Sequence, residues 1–145
     1  MIIQTKYHDK LDVAEQEVLA FQEGIPGFNE EKEFIILPLS EEIQVLQSVK
    51  TRDVAFVLVI PFLTEPSYEF TLDDAAIEQL QIEKPEDAEV YSIMSVKEPF
   101  QSSTINLAAP VVVNRTKRLG KQVILNDSAY SIRTPLQKSA SGQKG

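Results

Sequence analysis

The sequence contains no cysteine. Disulfides, thiolate catalysis and cysteine-based zinc sites are therefore closed to it, and the absence suits a reducing cytosol. Histidine is nearly missing too: His8 is the only one, and it sits in the polar run His8-Asp9-Lys10. A Ser-His-Asp relay would have to be assembled around that single ring, and a zinc site would need carboxylates for most of its ligands. There is no glycine-rich phosphate loop, and the lone Gly-Lys pair, Gly120-Lys121, lacks P-loop spacing. Long hydrophobic runs are absent. The longest, Val54 to Leu63, is interrupted by Pro61 and falls well short of the roughly 20 residues that span a bilayer. The opening Met1-Ile2-Ile3-Gln4-Thr5-Lys6 lacks the basic segment and apolar core of a signal peptide. These shortages predict a cytoplasmic protein with no cofactor, no metal and no membrane contact, and they leave the case for an enzyme thin.

Positive charge is scarce as well. The net charge is −8, with 22 acidic residues against 14 Lys and Arg. A nucleic-acid backbone is bound largely by cations that displace its counterions, so direct nucleic-acid binding is disfavoured. A basic protein partner is better served, because complementary potentials speed encounter and reject wrong partners. The charge is also uneven: residues 1–100 carry 21 acids and 7 bases, whereas residues 101–145 carry Asp127 and 7 bases. Two readings stand open. Either the two regions attract each other within the fold, or an acidic face is left exposed for a partner. The cluster Arg115, Lys117, Arg118 and Lys121 has no interleaved aromatics and reads as a solvated hairpin tip.

What the chain does have is 145 residues with 43% hydrophobic and 25% charged side chains, the makeup of one globular domain. Short β-branched and aromatic runs dominate, each bounded by turn formers. Strands are expected at Ile2 to Tyr7, Leu11 to Val13, Val18 to Phe21, Glu33 to Leu37, Ile43 to Val49 and Val54 to Ile60. Further strands are expected at Glu89 to Val96, at Thr104 to Asn114 with an interruption at Pro110, and at Lys121 to Leu125 as the last. One short helix is expected over Thr71 to Ile82. Thr71 and Asp74 resemble a capping box there, and Leu72, Ala76 and Leu80 recur at helical spacing. The pattern predicts an all-β, mainly antiparallel, small barrel-like domain over residues 1–136, closure being one answer to so many edge strands. The Ser-, Gly- and Lys-rich residues 137–145 are expected to be a disordered tail.

The carboxylates are numerous enough that counting alone does not exclude an acid/base pair. However, Glu30-Glu31, Glu41-Glu42 and Asp73-Asp74 fall in loops or at a helix start, where solvated acids are ordinary. The stronger signal is for binding. Pro61 to Phe70 holds two prolines and three aromatics beside acids, a stiff segment that must lie at an edge or in a loop. Phe62 and Phe70 read equally well as plugs of a barrel end, which makes Tyr68 and Glu69 the surface candidates. In Gly24-Ile25-Pro26-Gly27-Phe28, Phe28 is placed to close the core while the rigid backbone presents Ile25. The candidate partner-binding residues are Ile25, Pro26, Phe28, Tyr68, Glu69, Phe70, Asp73, Asp74 and Glu78. A small-molecule-binding barrel, catalytic or not, is the alternative, and it requires an enclosed pocket with converging polar groups.

A set of segments runs along the chain in a fixed order: Ile3 to Tyr7, Phe21 with Gly24-Ile25-Pro26-Gly27-Phe28, Leu46-Gln47-Ser48-Val49, Ala55-Phe56-Val57, and Pro61-Phe62 with Tyr68-Glu69-Phe70. Asn106-Leu107 with Ala109-Pro110, and Gly120-Lys121-Gln122-Val123 through Tyr130, continue it to about residue 136. In that order they resemble the FliW family of flagellar assembly factors. The resemblance implies a barrel-like fold and two protein partners. These are flagellin and CsrA, a small basic RNA-binding dimer that represses flagellin translation. It further implies partner exchange, in which accumulating flagellin withdraws this chain from the repressor.

Overall fold

The β-branched runs pair into strands whose register bends the sheet round on itself. The computed structural model describes residues 1–126 and 129–136; the expected disordered tail lies outside them. In chain order the elements are β1 (Ile2–Gln4), β2 (Lys10–Asp12), β3 (Leu19–Ala20), β4 (Glu33–Pro38), β5 (Ile43–Ser48) and β6 (Ala55–Val59). They continue with α1 (Asp74–Leu80), β7 (Glu89–Ser95), β8 (Thr104–Ile105), β9 (Val111–Asn114), β10 (Leu119–Gln122) and β11 (Thr134–Pro135). Antiparallel pairing runs β3-β4-β5-β6-β7, and Tyr91 opposite Val111 joins β7 to β9. β9 then pairs with β10, and Leu119 lies beside Ala20 in a parallel bridge from β10 back to β3. Seven strands thus close into a barrel with one α-helix outside it, the all-β class that the strand pattern predicts.

Side chains fill the barrel: Phe21, Phe34, Leu46, Leu58, Val111 and Val113 meet in its core. Strands such as β4 and β9 are buried on both faces and therefore read as continuous apolar runs rather than alternating ones. In β4, Phe34 and Ile36 point into the barrel, while Ile35 and Leu37 pack outward against Ile3 and Val13 of the N-terminal hairpin. In β9, Val111 and Val113 point inward and Val112 packs outward under Ala76 and Leu80 of α1. The Asn114 side-chain amide donates to the Leu80 carbonyl at 2.8 Å, which anchors the end of the helix on the barrel wall.

Three expectations about local structure need correction. The helix begins at Asp74 with Asp73 as its cap, the Asp73 carboxylate accepting from the Ala76 N–H at 2.8 Å, so Thr71 stays outside. It ends where Gln81 turns left-handed at φ 54°. The expected strand from Thr104 to Asn114 is two strands with different partners. The Asn106 carboxamide accepts from the Ala108 and Ala109 N–H groups and makes a turn, and Pro110 cannot donate to a ladder. Finally, β10 starts at Leu119 and stops at Gln122, and a further strand, β11, follows it. Arg115 to Arg118 make the predicted hairpin connection.

Candidate protein-binding surface

β6 must end before Pro61, which has no N–H to give the ladder. The chain instead coils into a 3-10 turn over Pro61–Leu63, closed by the Thr64 N–H on the Pro61 carbonyl at 3.0 Å. That turn leaves Phe62 41% and Leu63 56% exposed. The chain then drops back, and Tyr68 is almost fully buried, its hydroxyl donating to the Leu107 carbonyl at 2.7 Å. Burial, reinforced by the neighbouring Tyr130, pushes the Tyr68 hydroxyl well above the ordinary tyrosine range. The expectation that Tyr68 lies on the surface is thereby overturned: its ring is a packing centre for Phe62 at 5.8 Å, Phe70 at 5.5 Å and Tyr130 at 4.7 Å. Glu69 is exposed and Phe70 half-buried.

Between this aromatic wall, α1 and residues 83–88 runs an open groove of about 700 Å³. Its apolar lining comes from Phe62, Tyr68, Phe70, Leu72, Ile77 and Ile82, with Glu69, Glu83 and Lys84 as its charged members. Ile77 lies off the Leu72-Ala76-Leu80 stripe and stays exposed, which is the one sign in the sequence that α1 presents an apolar residue outward. Asp74 and Glu78 are exposed on the helix. Asp73 is also exposed, but as the helix cap it has structural work of its own.

The loop Gly24 to Phe28 lies on the other side of α1. Pro26 and Gly27 occupy the centre of a tight turn in which the Phe28 N–H donates to the Ile25 carbonyl at 2.6 Å. Gly27 sits at φ 88°, the value a type II turn demands at that place. Gly24, at φ 68°, has Asn29 backbone atoms where a side chain would be. This geometry reverses the expected roles. Ile25 is buried in the barrel core, whereas Phe28 is 42% exposed and rests edge-on against Phe56 at 5.2 Å. Pro26 is exposed. The loop and Asp73 together line a second cleft of about 570 Å³. The two predicted segments therefore flank one helix, on opposite sides.

Just before the loop, Glu23 bonds Lys121 at 2.7 Å and accepts from the Gln79 amide at 3.0 Å, tying β10 to α1. The hydrogen bond and charge of Lys121, with help from Gln79, hold the Glu23 carboxyl below its ordinary value. Arg115 likewise pairs with Glu89 at 2.9 Å and donates to the Tyr91 hydroxyl. Part of the basic C-terminal third is thus neutralised within the fold. Among the described residues, none of the ion pairs engages Glu69, Asp73, Asp74 or Glu78. The first reading of the charge asymmetry therefore holds for Glu23 with Lys121 and for Glu89 with Arg115.

His8 lies outside the barrel, its Nε2 within 2.7 Å of the Pro38 carbonyl. Among the described residues no three metal-binding side chains gather, and no helix is long and apolar enough to cross a membrane.

Comparison with known proteins agrees with this architecture. The sequence model of the FliW protein family matches residues 2–136. The flagellar assembly factor FliW of Bacillus licheniformis is 49% identical over 138 residues, covering 94% of this chain and 96% of the relative. That of Bacillus subtilis is 47% identical over 138 residues, with the same coverage. A crystal structure of the flagellar assembly factor FliW superposes with a TM-score of 0.92 at 46% identity, covering 94% of this chain and 96% of that one. The chain belongs to the FliW family of flagellar assembly factors.

Proposed function

We propose that this FliW family member is a cytoplasmic, non-enzymatic regulator that binds two proteins in turn, the translational repressor CsrA and flagellin. In this reading it holds CsrA away from flagellin mRNA. When unassembled flagellin accumulates, it takes this chain away and translation stops. The observation that carries the reading is the groove beside α1, where exposed apolar side chains stand next to Glu69 and Glu83, which no ion pair among the described residues engages. An apolar centre with an acidic border suits a basic protein whose contact surface has an apolar core. A bound domain of net charge −8 would also lower the potential that draws RNA phosphates to such a partner.

The direct test mixes purified flagellin with a preformed complex of this chain and CsrA. Release of CsrA as flagellin binds is the expected outcome, and a stable ternary complex refutes partner exchange. The surface is tested by reversing Glu69, Asp74 and Glu78 to lysine while leaving the Asp73 cap in place. CsrA affinity should fall about tenfold or more, and the wild-type rate of association should drop steeply with salt. Unchanged affinity in a variant of unchanged melting temperature removes this acidic surface of α1 and Glu69 from consideration.

A further inference from the structure

We infer that residues 129–136 form a displaceable strap over a strand-addition site, and that this site takes an extended peptide carrying an aromatic residue, then a small polar residue four positions on, then an aliphatic residue two positions later. The seven-strand ring has no edge, but the sheet does. The far end of β7 pairs with β8, with Met94 opposite Ile105, and β8 pairs in turn with β11, the last strand of the sheet. That last ladder is only two residue pairs long, Thr134 opposite Ile105 and Pro135 opposite Thr104. One of its members, Pro135, has no N–H to contribute.

Other bonds among the described residues also tie the strap down. The Ser131 carbonyl accepts from the Leu107 N–H at 3.0 Å, and the Leu136 N–H donates to the Ser103 carbonyl at 3.0 Å. The Tyr130 hydroxyl accepts from the Glu69 N–H at 3.1 Å. Its side chains are used as a docked peptide uses them. Tyr130 and Leu136 pack on the cluster of Val57, Tyr68, Met94, Ile105 and Leu107, and Thr134 is buried, whereas Ile132 is 59% exposed. Contrast β4 and β5, joined by five residue pairs from Phe34–Ser48 to Pro38–Gln44 and buried in the barrel wall.

A two-pair ladder at the edge of the described sheet belongs to the low-stability end of a fold and opens well before the barrel does. Opening uncovers the backbone of Thr104 and Ile105, the Leu107 N–H, the Ser103 carbonyl and an apolar trough. Strand-adding partners bind through that combination: main-chain pairing for affinity and alternate side-chain pockets for selectivity.

The absence of native cysteine makes a clean test possible. Thr104→Cys with Pro135→Cys places two thiols across the ladder, where opposed residues stand near disulfide spacing. The probe is a fluorescent peptide with the sequence of residues 129–136, followed by anisotropy. It should bind saturably to the wild type and to the reduced variant, and about tenfold or more weakly to the oxidised variant, with reductant restoring the affinity. Equal binding to oxidised and reduced forms overturns the inference, as does no binding to the reduced form at millimolar peptide. Native-state hydrogen exchange on the unmodified chain gives a second reading. The Leu107 and Leu136 amides should exchange about a hundredfold faster than those of the β9–β10 ladder. Equal rates overturn it as well.

Discussion

Gly120 lies directly against the Phe21 ring, and this close approach yields a sharp prediction about stability. A methyl group built on Gly120 would overlap ring atoms Cε1 and Cζ of Phe21. The ring has nowhere to go: it is fully buried and stands edge-on to Phe34 at 5.1 Å, and Phe34 in turn contacts Phe56 at 6.2 Å. Gly120→Ala therefore forces a rotamer change or a shift of β10, and should cost about 3 kcal/mol, the upper part of the range for overpacking. For a domain of this length that corresponds to a fall in melting temperature of roughly 10 °C, read by circular dichroism. Phe21→Leu removes the clash, so the double variant should be about 1 kcal/mol or more better than the sum of the two single changes. A fall of less than about 2 °C in the single variant would refute the steric argument, since wall and ring would then be free to adjust. Strict additivity in the double variant would refute it too.

Asp73→Ala should cost about 1 kcal/mol by removing the cap on the Ala76 N–H, while Asp73→Asn should restore most of it. Urea midpoints check this, and equal stability of the Ala and Asn variants would reject the capping role. The Glu31 carboxyl is held below its ordinary value of 4.5 by the Ser48 hydroxyl at 2.6 Å and then the Thr51 hydroxyl at 2.8 Å. Its folded value lies below its unfolded one, so its contribution is present above the ordinary value and is lost as pH falls through the folded one. Glu31→Gln should accordingly flatten the acid limb of the melting-temperature curve below about pH 4.5, and parallel curves for the two proteins would reject this.

Much of the fold was legible because burial leaves a periodic mark. The runs Phe34 to Leu37 and Val111 to Val113 fall in expected strands, and their unbroken apolar character goes with cover on the outer face, by the N-terminal hairpin and by α1. Element boundaries were less legible, because side chains settle them through bonds the pattern does not show. Asp73 outcompetes Thr71 for the cap by reaching the Ala76 N–H, and Asn106 breaks one expected strand into two by bonding ahead of itself. β11 left almost no trace, since Thr134–Pro135 is too short to carry any period. Gln47 and Ser48, conspicuous polar residues in an apolar run, turn out to be buried and bonded. The Gln47 amide donates to the Arg52 carbonyl at 3.0 Å and accepts from the Lys6 N–H at 2.9 Å. Gln47 thus ties the β5–β6 turn to the N-terminal hairpin, and the Ser48 hydroxyl ties it to Glu31 at 2.6 Å.

The candidate surface divides along the same line. Carboxylates are almost never buried unpaired, so Glu69, Asp74 and Glu78 could be placed outside from composition alone, and they are outside. Aromatic and aliphatic side chains carry no such constraint. Within a segment of Pro, Phe and Tyr, only the path of the backbone decides which ring fills the core. The 3-10 turn after Ile60 sends Phe62 out and Tyr68 in, and the turn at Pro26-Gly27 sends Ile25 in and leaves Phe28 out. The apolar half of the groove, Phe62, Leu72, Ile77 and Ile82, is assembled from three separate stretches of chain and exists only once α1 is seated on Val112. For this reason the charge-reversal experiment probes what the sequence could foresee, whereas a change such as Ile77→Asp would probe what folding adds.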